Sequence, residues 1–128
     1  MKLLHTSITV KDMDESLKFY TEIFGMRFVR RREIRENNAE IAFIEDPNSN
    51  RQIELTWWRS KTDYTEGDQL DHLAFQVSDV EKEIERLREL GVEIAKEPYA
   101  LKGSSHKIAF VKDPNGIWIE IIDSDPGK

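Results

Sequence analysis

The 128-residue sequence contains no cysteine. This absence excludes disulfide bonds, thiolate catalysis and zinc sites built on thiolate ligands. It also fits a cytoplasmic protein, which is the location that we expect for this chain.

Long apolar runs and an excess of positive charge are missing as well. No run approaches the roughly 20 apolar residues of a membrane span, and the segment 1–6 turns polar too early for a signal peptide. The formal net charge is −6, so the chain lacks the basic balance typical of nucleic-acid and membrane-surface binders. We expect a single globular domain, residues 1–128, that binds neither.

The sequence does contain an internal repeat. Strand-like segments begin at His5 and His72, and each is followed by an aspartate, Asp12 or Asp79, that suits the start of a helix. Apolar residues at helical spacing then predict helices over 13–24 and 80–90.

Both predicted helices end at a glycine, Gly25 or Gly91, followed by strands at 26–29 and 92–95. A hairpin comes next in each half, with the pattern Ala-Phe-x-x-Asp-Pro repeated at 42–47 and 109–114. Each half therefore reads β-α-β-β-β.

This order predicts an α+β fold with two βαβββ modules in tandem, at about 1–58 and 70–124, joined by a connector at 59–70. A half of this size buries too little surface to be stable alone. We therefore expect the two modules to pair and to form an open barrel-like cavity.

Metal-ligand residues occupy matching positions in the two halves. Successive strand residues face opposite sides of a sheet, and on this pattern His5, Glu54, His72 and Glu120 lie opposite the aliphatic faces of their strands. Partly buried carboxylates are costly unless a cation compensates them. The set predicts a divalent metal site, for which imidazole and carboxylate suit Ni, Co, Zn, Fe or Mn.

Nearly the whole chain resembles the vicinal-oxygen-chelate superfamily and, within it, the glyoxalase I (lactoylglutathione lyase) family. The segments that carry the resemblance are Leu3–Thr6, Phe19–Thr21, Gly25–Met26, Ile53–Thr56, Gly67, His72–Ala74, Lys102–Gly103, Ile108–Gly116 and Ile119–Glu120.

The resemblance implies a metal-dependent lyase that converts a thiol hemithioacetal of methylglyoxal to an S-2-hydroxyacyl thioester through an enediolate. It implies one Ni, Co or Zn ion per site and a homodimer. Each site takes His5 and Glu54 from one subunit and His72 and Glu120 from the other. Glu120 is the expected catalytic base, and Glu54 is its mirror-related partner.

Four further residues are candidate substrate contacts by the same resemblance. Lys102 and Gly103 match the loop that covers the substrate. Thr9 and Trp58 stand where the family often has arginine and asparagine, which contact glutathione. The thiol therefore stays open between glutathione, another thiol and coenzyme A.

Three alternatives within the superfamily stay open. Acyl-CoA epimerases of the methylmalonyl-CoA type usually carry glutamine where this chain has Glu54. Metal-dependent dioxygenases typically need only two histidines and one glutamate. Drug-binding resistance proteins that act without a metal do not need four ligand side chains.

The remaining polar and aromatic residues have simpler interpretations. His106 has no counterpart in the first half and is predicted to be a surface residue at the start of a strand. Trp58, Trp118 and Ile122 suit either an apolar wall at the site or ordinary packing. A basic cluster is predicted to be a solvated strand face, with substrate anions as the alternative: Arg27, Arg30, Arg31, Arg32 and Arg35.

Overall fold

The structure, a computed structural model, describes residues 1–61, 63–65, 67–100 and 102–128. The chain divides into two compact units, Met1–Thr65 and Glu66–Lys128. We call them module one and module two.

Module one is an open four-stranded sheet with one α-helix, a π-helical turn and a short 3₁₀ turn, Arg35–Asn37. Its strand order is β1-β4-β3-β2, with β1 parallel to β4 and the other neighbours antiparallel. The elements are β1 (His5–Thr9), α1 (Met13–Lys18), β2 (Arg27–Ile34), β3 (Ala39–Glu45) and β4 (Gln52–Trp58).

Module two repeats this topology. Its order is β5-β8-β7-β6, and β5 is again parallel to β8. The elements are β5 (Leu73–Gln76), α2 (Val80–Glu89), β6 (Glu93–Ala100), β7 (Lys107–Lys112) and β8 (Trp118–Ile122). The predicted α+β fold with two tandem βαβββ modules is thus confirmed, and neither sheet is a closed barrel.

Residues predicted to begin and end the helices have those roles in the structure. The carboxylates of Asp12 and Asp79 accept hydrogen bonds from the backbone N–H of Glu15 and Lys82, so both aspartates cap their helices. Gly91, just after α2, has a φ of 81°, which is the left-handed conformation that glycine tolerates best.

The first helix differs from the prediction in its second half. The α-helix stops at Lys18, and Phe19–Ile23 forms a π-helical turn. The rings of Phe19, Tyr20 and Phe24 pack against one another there, with Phe19 and Tyr20 buried. A π turn adds one residue to the helical turn, which a 3.6-residue pattern does not reveal.

The core of each module lies between the sheet and its helix. It is built from aliphatic residues at alternate strand positions, as predicted. The fully buried side chains include Val10, Met13, Ala42, Ile44 and Leu55 in module one, and Leu87, Ala109, Val111 and Ile119 in module two. Leu4 precedes β1 and is 68% exposed, so it lies outside this core.

The outer strands are longer than predicted and each contains a bulge. β2 shifts register between Phe28 and Arg30, and β6 between Ile94 and Lys96. Beyond the first bulge, Arg31 lies on the helix side and pairs with Asp14 and Glu40.

The rest of the basic cluster is exposed. Arg27 pairs with Glu45, whereas Arg30 lies opposite Phe43 and Arg32 opposite Ile41, on the other side of the sheet. Arg35 is exposed in the 3₁₀ turn that follows β2. The cluster is therefore solvent-facing, and some of its members make ion pairs. Contact of the cluster with substrate anions stays the alternative interpretation.

Most of the predicted connector 59–70 is described, and it contains no helix or strand in those positions; residues 62 and 66 lie outside the description. In the part of the chain that the structure covers, no helix has the length and apolarity required to cross a bilayer.

Candidate metal centre

In module one, the first and last strands bring His5 and Glu54 together. Ser7 lies opposite Glu54 in the parallel β1–β4 ladder, and His5 is two residues earlier on the same face. His5 Nε2 lies 3.8 Å from Glu54 Oε2, and the two side chains are 30% and 18% exposed. Both side chains of the pair are therefore partly exposed.

In module two, His72 and Glu120 form the equivalent pair. Ala74 lies opposite Glu120, and His72 is two residues earlier. His72 Nε2 lies 2.9 Å from Glu120 Oε2, with exposures of 30% and 13%. The structure thus brings the predicted ligands together as two pairs, His5 with Glu54 and His72 with Glu120. The two pairs lie at the same register in both modules.

The donor types of these pairs fit a divalent first-row metal ion. His72 Nδ1 lies 2.6 Å from Asp71 Oδ1, so its N–H donates to that carboxylate. Histidine ligands commonly donate their second nitrogen in this way, which fixes the ring for metal binding through Nε2. The described ranges contain no group of three or more histidine, aspartate or glutamate side chains that would hold an ion. Each module brings together two of the predicted ligands.

A phenylalanine supports each histidine ring, which the sequence analysis missed. His5 packs edge-on against Phe43 with ring centroids 5.1 Å apart, and His72 packs likewise against Phe110 at 5.6 Å. Phe43 lies opposite Glu54 on β3, and Phe110 lies opposite Glu120 on β7. The repeated Ala-Phe-x-x-Asp-Pro pattern was the signal for this support.

The surroundings of the two glutamates differ. Glu54 Oε1 accepts hydrogen bonds from Ser7 Oγ at 2.8 Å and from Thr56 Oγ1 at 3.2 Å. The matching positions in module two are Ala74 and Ile122, which have no hydroxyl group. The sequence analysis did not single out Ser7 or Thr56.

Comparison with known proteins then establishes the family. Residues 2–121 match the Glyoxalase/Bleomycin resistance protein/Dioxygenase superfamily. The chain belongs to this superfamily.

Relatives within the superfamily are similar over nearly the whole chain. A probable lactoylglutathione lyase of Vibrio parahaemolyticus is 38% identical over 96% of this chain and 91% of its own length. Glyoxalase I from Zea mays superimposes with a TM-score of 0.85 at 35% identity. The trypanothione-dependent glyoxalase I of Leishmania major gives 0.80 at 34% identity, covering 96% of this chain and 86% of that one.

The maize protein is longer than this chain. The match covers 96% of this chain but 44% of the maize protein. More than half of the maize protein therefore has no counterpart in this chain.

The candidate substrate residues fall into two groups. Thr9 lies opposite Thr56 on the ligand-bearing face of module one, and Trp58 follows on the same face of β4, 37% exposed. Lys102 and Gly103 lie in an exposed turn between β6 and β7, where Gly103 has a φ of 81°. A substrate role for these four residues stays a prediction.

His106 and Trp118 were also singled out in the sequence. His106 is exposed, and its Nδ1 lies 3.1 Å from Asp123 Oδ1 just before β7. Trp118 packs against Phe110 on the ligand-bearing face of module two, with ring centroids 5.6 Å apart. The tryptophan therefore extends the aromatic surface beside His72.

Proposed function

We propose that this chain is a metal-dependent lyase of the glyoxalase I type. It would convert the hemithioacetal of methylglyoxal and a thiol into an S-2-hydroxyacyl thioester. The observation that carries the proposal is the His–Glu pair, repeated at the same register of both modules in a superfamily member whose relatives are named lactoylglutathione lyase.

The proposed ligands of the ion are His5, Glu54, His72 and Glu120. Since each module supplies one histidine and one glutamate, four ligands require two pairs. We place the two pairs in a homodimer, with His5 and Glu54 from one subunit and His72 and Glu120 from the other. The donor set suits Ni, Co or Zn.

The reaction needs a proton moved between adjacent carbon atoms of the substrate. A bound divalent ion would stabilise the negative charge that develops on the substrate oxygens. Glu120 would remove the proton from one carbon and return it to the other as a general base and acid. Phe110 and Trp118 form an aromatic surface beside this carboxylate, which would limit the access of water to the intermediate.

The thiol carrier is open between glutathione and another thiol. Thr9 and Trp58 carry no positive charge to receive the carboxylates of a peptide thiol. The Leishmania relative is described as trypanothione-dependent, so different thiols are used within this group of similar proteins. Lys102 and Gly103 are the proposed contacts from the turn after β6.

The test is an isomerase assay with purified protein. Metal-stripped protein is loaded with Ni²⁺, Co²⁺ or Zn²⁺ and assayed with methylglyoxal and glutathione, trypanothione or coenzyme A. We expect activity that depends on the metal and falls with His5→Ala or Glu120→Gln, while the matched surface variant His106→Ala keeps it.

Full activity in both His5→Ala and Glu120→Gln would end the proposal. Epimerisation of methylmalonyl-CoA without isomerase activity would replace it with an acyl-CoA epimerase. Tight binding of a drug by metal-free protein without turnover would replace it with a resistance protein.

A further inference from the structure

The two modules differ in the side chains that surround the glutamate of each His–Glu pair. In module one, the side-chain oxygens of Ser7, Thr56 and Glu54 lie at the corners of a triangle, each within hydrogen-bonding distance of the other two. The two hydroxyl oxygens are 3.0 Å apart, and both groups reach Glu54 Oε1, at 2.8 Å from Ser7 and 3.2 Å from Thr56. One carboxylate oxygen of Glu54 is therefore held from two directions.

Module two cannot form this triangle. The residue opposite Glu120 is Ala74, and the residue two positions after Glu120 is Ile122. In the described part of the chain, the Glu120 carboxylate pairs with the imidazole of His72. The backbone register is the same, so the difference comes from side chains alone.

The different neighbours coincide with different geometry within the pairs. Glu120 Oε2 lies at hydrogen-bonding distance from His72 Nε2, 2.9 Å, whereas Glu54 Oε2 lies 3.8 Å from His5 Nε2. The hydroxyls contact Oε1 of Glu54, and Oε2 is the oxygen nearer to His5. Glu120, without such contacts, lies against its imidazole.

From this contrast we propose that Ser7 and Thr56 are positioning residues that make the two glutamates unequal. They hold Glu54 as a fixed ligand that offers one oxygen to the ion. Ala74 and Ile122 leave Glu120 free to turn between the ion and the substrate. This inference rests on the proposed function, because it assigns fixed and mobile roles within that site.

The first experiment measures metal affinity without turnover. Metal-stripped protein is titrated with Ni²⁺ against a competing chelator. Residues that orient metal ligands typically change metal affinity by about 10–100-fold, so Ser7→Ala/Thr56→Val should weaken Ni²⁺ binding by at least about tenfold. Ser7→Thr, which keeps the hydroxyl, should bind like wild type.

Two variants control for folding and for the loss of any hydroxyl group. Thr6→Ala removes a hydroxyl from the adjacent residue of β1, opposite Ile53 and on the other face, and should leave Ni²⁺ affinity unchanged. Ser7→Ala alone changes an exposed residue. If the double variant does not fold, the Ni²⁺ affinity of this single variant tests the proposal. Wild-type Ni²⁺ affinity in Ser7→Ala and in a folded double variant would overturn the proposal.

The second experiment transfers a hydroxyl to module two. Ala74→Ser places one opposite Glu120, at the position that Ser7 occupies opposite Glu54. Restraining the mobile carboxylate should lower kcat about tenfold, with KM changed less than about twofold and Ni²⁺ affinity not weakened. An unchanged kcat would contradict the mobile role of Glu120.

The wild-type measurements separate the two levels of inference. If the wild-type protein neither binds Ni²⁺ nor isomerises the hemithioacetal, the proposed function is rejected, and this inference is rejected with it. Wild type that binds and turns over, with variants that change neither quantity, removes only the positioning roles of Ser7 and Thr56.

Discussion

Module one and module two carry the same histidine, phenylalanine and glutamate at the same register, but they support them differently. Module one surrounds its glutamate with hydroxyls and has an arginine-rich outer strand. Module two has aliphatic neighbours at its glutamate and a more deeply buried aspartate in its β7–β8 turn. The comparison teaches that the repeated topology places the ligand pair, whereas the side chains around it give each copy its own role.

The largest expected effect comes from exchanging the two glutamates for glutamine. Glu120→Gln should lower kcat by about 10²–10⁴-fold, because a general base is lost. Glu54→Gln should weaken Ni²⁺ binding more strongly than Glu120→Gln does, because Glu54 is the fixed ligand. Steady-state kinetics and Ni²⁺ titration of both variants measure this contrast, and identical profiles in the two would erase the distinction between the modules.

A second contrast lies in the turns. The Asp113 carboxylate is in a residue only 5% exposed, and its Oδ1 accepts the backbone N–H of Asn115 and of Ile117, each at 2.8 Å. Asp113→Ala should therefore lower the free energy of unfolding by about 2–3 kcal/mol, since buried N–H groups lose a charged acceptor.

Asp46, the counterpart of Asp113, is more exposed and accepts from Asn48 N at 3.3 Å and from Ser49 Oγ. Asp46→Ala should cost only about 1 kcal/mol. Urea denaturation of both variants gives the comparison. Equal losses would show that burial of the turn does not distinguish the modules.

The outer strand of module one allows a matched pair of neighbouring substitutions. Arg31 lies 2.7 Å from the buried Glu40 and 2.7 Å from Asp14, and the Glu40 carboxylate raises its pKa further above the ordinary value. Arg31→Ala should cost about 1–2 kcal/mol, because Glu40 loses a partner while the exposed part of the pair contributes little.

Arg32→Ala is the control for that change. Arg32 is exposed on the opposite face, and its loss should change the free energy of unfolding by less than about 0.5 kcal/mol. Thermal or urea denaturation distinguishes the two, and a destabilised Arg32→Ala would contradict the assignment of faces.

The smallest expected effect is a dependence of stability on pH. The Ser49 hydroxyl donates to Asp46 and lowers the pKa of that carboxyl below its ordinary 3.8. Stability from this contact is present above pH 3.8 and is lost as the pH falls through the folded-state pKa. Ser49→Ala should thus have a lower urea midpoint than wild type at pH 7, and the gap should close in acid. A gap independent of pH would exclude this cause.

The sequence was sufficient for the order of the elements and for the pairing of ligands. Alternation along β1 and β4 put His5 and Glu54 on one face, and the repeat put His72 and Glu120 at the same places. The roles of the four ligands and the metal itself stay predictions, as do the dimer and the cytoplasmic location.

Several features could not be predicted from the sequence because they depend on tertiary contacts. The arginines of β2 do not alternate with apolar residues, so pairing with β3 extends this strand to Ile34 without a sequence signal. The hydroxyl triangle around Glu54 required the register of two strands distant in sequence. The ring contacts of Phe43 and Phe110 required the same knowledge for β3 and β7.

The parallel pairing of the first and last strands has a consequence for synthesis of the chain. A histidine of module one leaves the ribosome early, but its glutamate belongs to the last strand of that module, which docks beside the first. In a nascent module, the histidine and the glutamate are therefore not brought together until the final strand has docked. In the proposed site, metal binding by this pair would therefore require a module whose last strand has docked beside its first.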